Sequence, residues 1–395
     1  MVLLDNYFPQ DPRLVKEVRS LSKNGIKVYI IVRMKEGQPP QEEIDEISVR
    51  RIKVLSLRSG RLNAILYYSL VRHLAIFHAF KLIREFRPDV IHVNDLPPAI
   101  SFYLLSRTLR IPMILDLRED WPDLILLSAR KDSRISMFLS NVLSKLLRLE
   151  ENFLIKRVEG VIVVVEEFGE ELVKRGLPRE RLAIVHNSLD IEEMDELTIP
   201  DLEFLADESL KVVYVGGVGP ERGLETVIRA LKCLREKLNV KLYIVGDGSS
   251  LPSLKRLAED LGVTSNVTFT GWLPFEEAMA YVKSADICLV PAARSPETEN
   301  SFPNKLQQYM YFAKPIAAAN VRSLRRIIGE CECGFLYEPD DPSSLCEQLI
   351  LNVKKLHSMG RNGRLFLENV LNWKHSSENL IDLYTKIFKR YKEMG

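Results

Sequence analysis

Seven short apolar runs leave this chain few ways to fold. Residues 26–32, 90–93, 113–117, 161–165, 212–215, 241–245 and 287–290 are dense in β-branched and aliphatic side chains and lack the alternation of a strand with one wet face. Strands that are apolar on both faces belong in sheets covered on both sides. Longer stretches with helical spacing separate the runs, so the pattern predicts parallel strands joined by helical crossovers. This α/β, doubly wound pattern occurs twice, as suits 395 residues, too many for one ordinary core. Between the copies an acidic stretch holding Pro200 sustains neither period and reads as a linker. The expected division is a first domain at 1–192, a linker at 193–207, a second domain at 208–372 and a closing helix at 373–395. The apolar residues Leu380, Ile381, Leu383, Tyr384, Ile387 and Phe388 of that helix suit either domain, with packing back on the first as one outcome.

Composition narrows the class. With 46% hydrophobic and 28% charged residues the chain is globular, without room for long disorder. Asp5, Asp11, Arg13 and Lys16 interrupt any secretory leader, so the expected compartment is the cytoplasm. The five cysteines show no Cys-x-x-Cys spacing, which points to neither a disulfide framework nor a zinc site; Cys331 and Cys333 read as buried thiols. Basic residues outnumber acidic ones in the first half, most sharply between 50 and 157, while the second half is net acidic. A basic face of this kind suits an anionic partner such as a phosphorylated acceptor or a membrane surface. Residues 62–83 are rich in Leu, Ile, Tyr and Phe, but Arg72, His73, His78 and Lys81 argue against a membrane span and for a buried or interfacial amphipathic helix.

The residues with chemistry to offer cluster in the second half. Val212-Val213-Tyr214-Val215 runs into Gly216-Gly217-Val218-Gly219-Pro220-Glu221-Arg222-Gly223, a strand, a glycine turn and a helix start. Such a turn lets backbone approach a phosphate, and Arg222 can fork onto phosphate oxygens. The spacing fails the dinucleotide fingerprint, because Arg222 stands at its third glycine and Leu251 at the third glycine after Gly246-Asp247-Gly248. Downstream follow Val267-Thr268-Phe269-Thr270-Gly271-Trp272, then Ala285-Asp286-Ile287-Cys288-Leu289-Val290-Pro291, then Ser301-Phe302-Pro303-Asn304-Lys305-Leu306-Gln307-Gln308-Tyr309-Met310-Tyr311-Phe312-Ala313-Lys314-Pro315. The first half adds Asp5-Asn6-Tyr7-Phe8-Pro9-Gln10-Asp11-Pro12-Arg13, Arg87-Pro88-Asp89-Val90-Ile91-His92-Val93-Asn94-Asp95, Asp116-Leu117-Arg118-Glu119-Asp120-Trp121-Pro122 and Ile184-Val185-His186-Asn187-Ser188-Leu189-Asp190.

In order and spacing this series resembles glycosyltransferase family 4, the retaining GT-B group, over nearly the whole chain. The resemblance implies two Rossmann-like domains facing a cleft, the second holding a UDP- or GDP-sugar and the first a glycan or lipid-linked acceptor, in surface polysaccharide or glycolipid synthesis. It places Arg222 and Lys305 on the leaving diphosphate, with Arg118 and Glu119 also in the catalytic set. It assigns donor binding to Gly216, Gly217, Gly246, Asp247, Gly248, Trp272, Asn300, Ser301, Phe302, Pro303, Asn304 and Gln308, and acceptor binding to Arg13, His92 and Asp95. Cations suffice against the charge that grows on a departing diphosphate. No Asp-x-Asp occurs, so neither a metal nor another cofactor is expected, nor a nucleic-acid partner. In the family's Glu-x7-Glu motif the glutamates fall on Asn300 and Gln308, with Glu299 one position away; neutral Gln308 holds a ribose more weakly than a carboxylate does. Arg118 replaces a common histidine, Gly217 an arginine and Arg222 a lysine. These departures keep two other readings open: a weakly active binder of nucleotide sugar or glycan, and a nucleotide-sugar epimerase of the same fold.

Overall fold

The computed structural model describes residues 2–3, 8–52, 79–80, 83–129, 134–202, 207–299 and 302–394. Most of the amphipathic segment read at 62–83, and Asp5, Asn6, Tyr7, Asn300 and Ser301, lie outside them. Contacts divide the chain into two compact units, Met1–His186 with Ser376–Gly395, and Asn187–His375.

The first unit is built on a sheet of β1 (Val2–Leu3), β2 (Tyr29–Arg33), β3 (Gln41–Ile44), β4 (Ile47–Ile52), β5 (Ile91–Asn94), β6 (Met113–Leu117), β7 (Gly160–Val163) and β8 (Leu182–Ile184), in the order β3-β4-β2-β1-β5-β6-β7-β8. Its pairings are parallel except the β3–β4 hairpin at the edge. Every residue of β5, β6 and β7 is buried, the physical reason these runs do not alternate. The second unit carries an all-parallel sheet of β9 (Leu210–Val215), β10 (Val240–Val245), β11 (Val267–Gly271), β12 (Ile287–Val290), β13 (Ile316–Ala319) and β14 (Gly334–Tyr337), in the order β11-β10-β9-β12-β13-β14. Counted within the unit this is 3-2-1-4-5-6, the Rossmann order, with a core on each face.

Residues 193–207, expected to act as a linker, are docked where they are described. Ile199 and Leu202 lie against the second core, and Lys283 reaches Asp201 at 2.7 Å. The closing helix, Trp373–Met394, buries Leu380, Leu383, Tyr384 and Ile387. Beyond residue 376 it packs on the first unit, where Leu383 and Ile387 fill the space that a β-carbon on Gly160 would need. Asn379 adds a hydrogen bond to the Ile184 carbonyl at 2.9 Å.

The cysteines correct the sequence reading. Cys233 and Cys346, 113 residues apart, form a disulfide, as do Cys331 and Cys333; Cys288 is a buried free thiol. The Leu224–Lys237 and Pro342–Asn352 helices lie side by side and bring the Cα atoms of Cys233 and Cys346 to 6.3 Å, a juxtaposition that sequence spacing does not encode. Among the described residues no helix is long and apolar enough to cross a membrane.

Candidate active site

In the second sheet the strand order reverses beside β9, and ligands of open α/β sheets sit at the carboxyl ends of strands at such a switch point. β9 is followed directly by Gly216, with φ of +132°, and β10 by Gly246, with φ of +145°. The two turns run side by side. The Gly216 N–H donates to the Val245 carbonyl and the Val218 N–H to that of Asp247, both at 2.9 Å. A β-carbon on Gly246 would overlap the Gly216 carbonyl, so this glycine serves the close approach of two backbones as well as its own φ.

Lys305 enters from the first turn of the Asn304–Tyr311 helix, whose start follows from Pro303 and whose inward face is Leu306, Tyr309 and Met310. Its Nζ lies 3.7 Å from the centre of the Tyr214 ring and 3.0 Å from where a β-carbon on Gly216 would stand. The position is braced by two tyrosines: the Tyr214 hydroxyl donates to the Gly217 carbonyl, and the Tyr309 hydroxyl accepts from the Val215 N–H at 3.0 Å. Arg222 closes the short turn Pro220–Arg222, its Nε 3.1 Å from Glu221 Oε1. Burial first, and then the charge of Arg222, hold the Lys305 ammonium well below the ordinary lysine pKa, with Glu221 opposing. Two residues far apart in the chain therefore act on one another at the end of β9. A half-buried ammonium beside a guanidinium is an unfavourable pair that an incoming anion would relieve.

The other donor-binding candidates take varied places. Asp247 is exposed and accepts from the Gly248 N–H at 2.7 Å, and Trp272 is 73% exposed at the end of β11. Phe302, Pro303 and Asn304 form the approach to the Lys305 helix, and Asn304 accepts from Asn187 at 3.1 Å. Gln308 is half-buried, one turn along the helix from Lys305. Glu299 is committed elsewhere, accepting from the Arg322 N–H at 2.7 Å at the start of the next long helix. Sequence reasoning missed Gln307, which is fully buried, accepts from the Leu189 N–H and donates to the Asn187 carbonyl at 3.0 Å. It thereby ties residues 187–189 to the helix that carries Lys305; a polar residue among the apolar positions of that helix was the available signal.

In the first unit, Asp116 at the end of β6 is fully buried. Arg118 spans three carboxylates, Asp116 at 3.0 Å, Asp11 at 3.0 Å and Glu17 at 2.9 Å. Arg13 meets Glu17 at 2.7 Å and donates to the Val185 carbonyl at 2.8 Å. Burial works to raise the Asp116 pKa, but the Arg13 and Arg118 cations outweigh it and hold the group below the carboxylate range. His92 is fully buried, 2.9 Å from the Tyr384 hydroxyl, and burial lowers its pKa to about 3. Arg13 and His92, read as acceptor-binding, are both buried beside Asp116, Arg13 at 3.5 Å from it and His92 against the Tyr384 hydroxyl. Arg118, read as catalytic, has each nitrogen committed to a carboxylate. Glu119 is exposed, and Asp95 is held at φ of +68° at the end of β5, where its charge acts on Arg118.

The family profile described as Glycosyl transferases group 1 matches residues 198–366, and that of Glycosyltransferase Family 4 matches 14–193. This chain belongs to the group 1, family 4 glycosyltransferases. Among relatives of the family, an uncharacterized glycosyltransferase of Methanocaldococcus jannaschii is 24% identical over 65% of this chain. The matched stretches span 63% of that relative and 48% of a second from the same organism, less than two thirds of either. The D-inositol 3-phosphate glycosyltransferase of Corynebacterium glutamicum is 24% identical over 94% of this chain and 90% of its own. The fold resembles that of sucrose-phosphate synthase from Thermosynechococcus elongatus, with a TM-score of 0.73 at 17% identity over 98% and 99% of the two chains. It also resembles Anabaena HepE in complex with UDP, with a TM-score of 0.69 at 15% identity over 98% and 99%. At these identities the likeness carries the fold alone, two Rossmann-like α/β domains of the GT-B kind.

Proposed function

We propose that this family member transfers a hexose or N-acetylhexosamine, with retention of configuration, from a UDP- or GDP-sugar to a glycan or lipid-linked acceptor in surface polysaccharide or glycolipid synthesis. The observation that carries the reading is the Lys305 ammonium lodged against Gly216 with Arg222 acting on it at the carboxyl end of β9. A diphosphate supplies the missing negative charge there. As the sugar bond breaks, charge accumulates on that diphosphate, and two cations already in position stabilise it without rearrangement and without a call on a metal. UDP in the HepE relative and a phosphorylated inositol in the name of the Corynebacterium relative support the same class of donor and a polar acceptor. The basic stretch at 50–157 supports an anionic acceptor.

Turnover of a panel of nucleotide sugars, with and without candidate acceptors, compared among wild type, Lys305→Ala and Arg222→Ala, tests this reading. Loss of product in both variants is expected; equal rates in all three proteins remove the phosphate role. Gln308, neutral where a carboxylate is common in the family, favours a second reading as a nucleotide-sugar binder, for which binding without turnover in the wild type is the signature.

A further inference from the structure

The Arg134–Leu154 helix is apolar on two opposite faces. One face, with Leu147 and Leu154, is buried in the first unit. The other is exposed: Phe138 (67%), Val142, Leu146 (57%), Leu149 (66%) and Phe153 recur at steps of three and four, and Met137 and Leu139 widen the row at its start. Seven of the fourteen exposed large apolar side chains among the described residues lie on this helix, so they form a continuous row about 22 Å long, not a scatter. Tyr103 meets Phe153 edge-on at 5.5 Å, and exposed Leu104 follows it in the neighbouring Ala99–Leu109 helix.

The charge around this row is net basic, Asp132 being the one carboxylate in the 130–134 stretch that leads into it. The exposed positions between 137 and 153 include Lys145 and no carboxylate. Exposed Lys156 and Arg157 follow the helix, and Arg130, Lys131 and Arg134 precede or open it in the sequence. Arg157 stacks on Phe153 at 4.0 Å and Arg107 on Tyr103 at 4.9 Å. The nearby carboxylates are engaged: Glu159 with Arg107 at 2.7 Å, Glu151 with Arg148 and Arg175, and Glu150 with the Ile100 N–H at 3.1 Å. A second copy of the chain would set like-charged rims against each other, whereas an anionic surface complements them.

We propose that this face docks on an anionic lipid bilayer, the helix lying in the interface with its apolar row toward the acyl chains and Lys145, Lys156 and Arg157 among the headgroups. The proposal stands apart from the donor-site reading, and its test uses no nucleotide. The full-length chain is sedimented with vesicles of phosphatidylglycerol or of phosphatidylcholine, at low and high salt, as wild type, Leu146→Gln/Leu149→Gln and Lys145→Glu/Arg157→Glu. Wild type binds phosphatidylglycerol, less so at high salt, and binds phosphatidylcholine more weakly. The apolar pair of substitutions lowers partitioning about tenfold or more, and the charge pair removes the preference for phosphatidylglycerol. All four side chains lie on the exposed face, so thermal melts of both variants match wild type. Failure of wild type to bind phosphatidylglycerol, or unchanged binding by the apolar variant, overturns the proposal. So does a wild-type dimer in light scattering that the apolar variant converts to monomer while wild type ignores vesicles, because the face then belongs to a second copy.

Discussion

Gly246→Ala tests the geometry at the end of β9 without touching a charge. The new β-carbon meets the Gly216 carbonyl well inside van der Waals contact, and alanine must also adopt a φ of +145°. A non-glycine residue held in such a region costs about 1–3 kcal/mol. Relieving the overlap means parting the two turns, which weakens the Gly216–Val245 and Val218–Asp247 hydrogen bonds at about 1 kcal/mol each. The sum is about 3–5 kcal/mol. For a unit of this size, spanning Asn187–His375, that corresponds to a fall in melting temperature of roughly 6–20 °C. Gly217→Ala is the control: it has a free neighbourhood and no left-handed φ, so its change stays within about 0.5 kcal/mol. Calorimetric melts of both variants decide the matter. If Gly246→Ala melts within about 2 °C of wild type, or Gly217→Ala falls as far, the account of two backbones in forced contact is wrong.

Three further outcomes are expected. Gln307→Leu strands the Leu189 N–H and the Asn187 carbonyl and costs about 2–5 kcal/mol in urea unfolding, with Gln307→Glu, which keeps an acceptor for Leu189, losing less. Burial raises the Glu150 carboxyl to about 7, so the folded state holds its proton more tightly than the unfolded chain does; stability contributed by this group is present at pH 4 and declines as pH rises toward 7. Glu150→Gln keeps the acceptor for Ile100 and abolishes that decline, gaining up to about 3 kcal/mol at pH 8, read from melts across pH. Because burial and Arg222 depress the Lys305 ammonium, the unfolded chain binds more protons between the depressed and the ordinary lysine pKa, and stability of the free protein rises with pH through that window. Diphosphate affinity falls over the same window, and titration calorimetry with UDP at a series of pH values, compared with Lys305→Met, reads it.

Local pattern carried much of this protein. Residues 113–117 and 287–290 coincide with β6 and β12 because a strand buried on both faces must be apolar throughout, and that requirement is written in consecutive residues. The glycine turn after β9 was legible for a similar reason, since only glycine tolerates that backbone. The burial of Arg13, His92 and Arg118 beside Asp116 was not legible, because each has the same one-letter record whether it faces solvent or a buried carboxylate.

From the chain alone come the two α/β halves, the glycine turn and the register of Lys305 within its motif. Strand order is a different kind of fact: 3-2-1-4-5-6 sets β9 in the middle of its sheet and so brings residue 305 onto residue 216, where the charge of Arg222 acts on it. The Cys233–Cys346 bridge, the anchoring by Gln307 and the union of residues 376–395 with the first unit belong to the same category. Periodicity reports which side of an element avoids water. Which partner covers that side is settled by packing between elements a hundred residues apart.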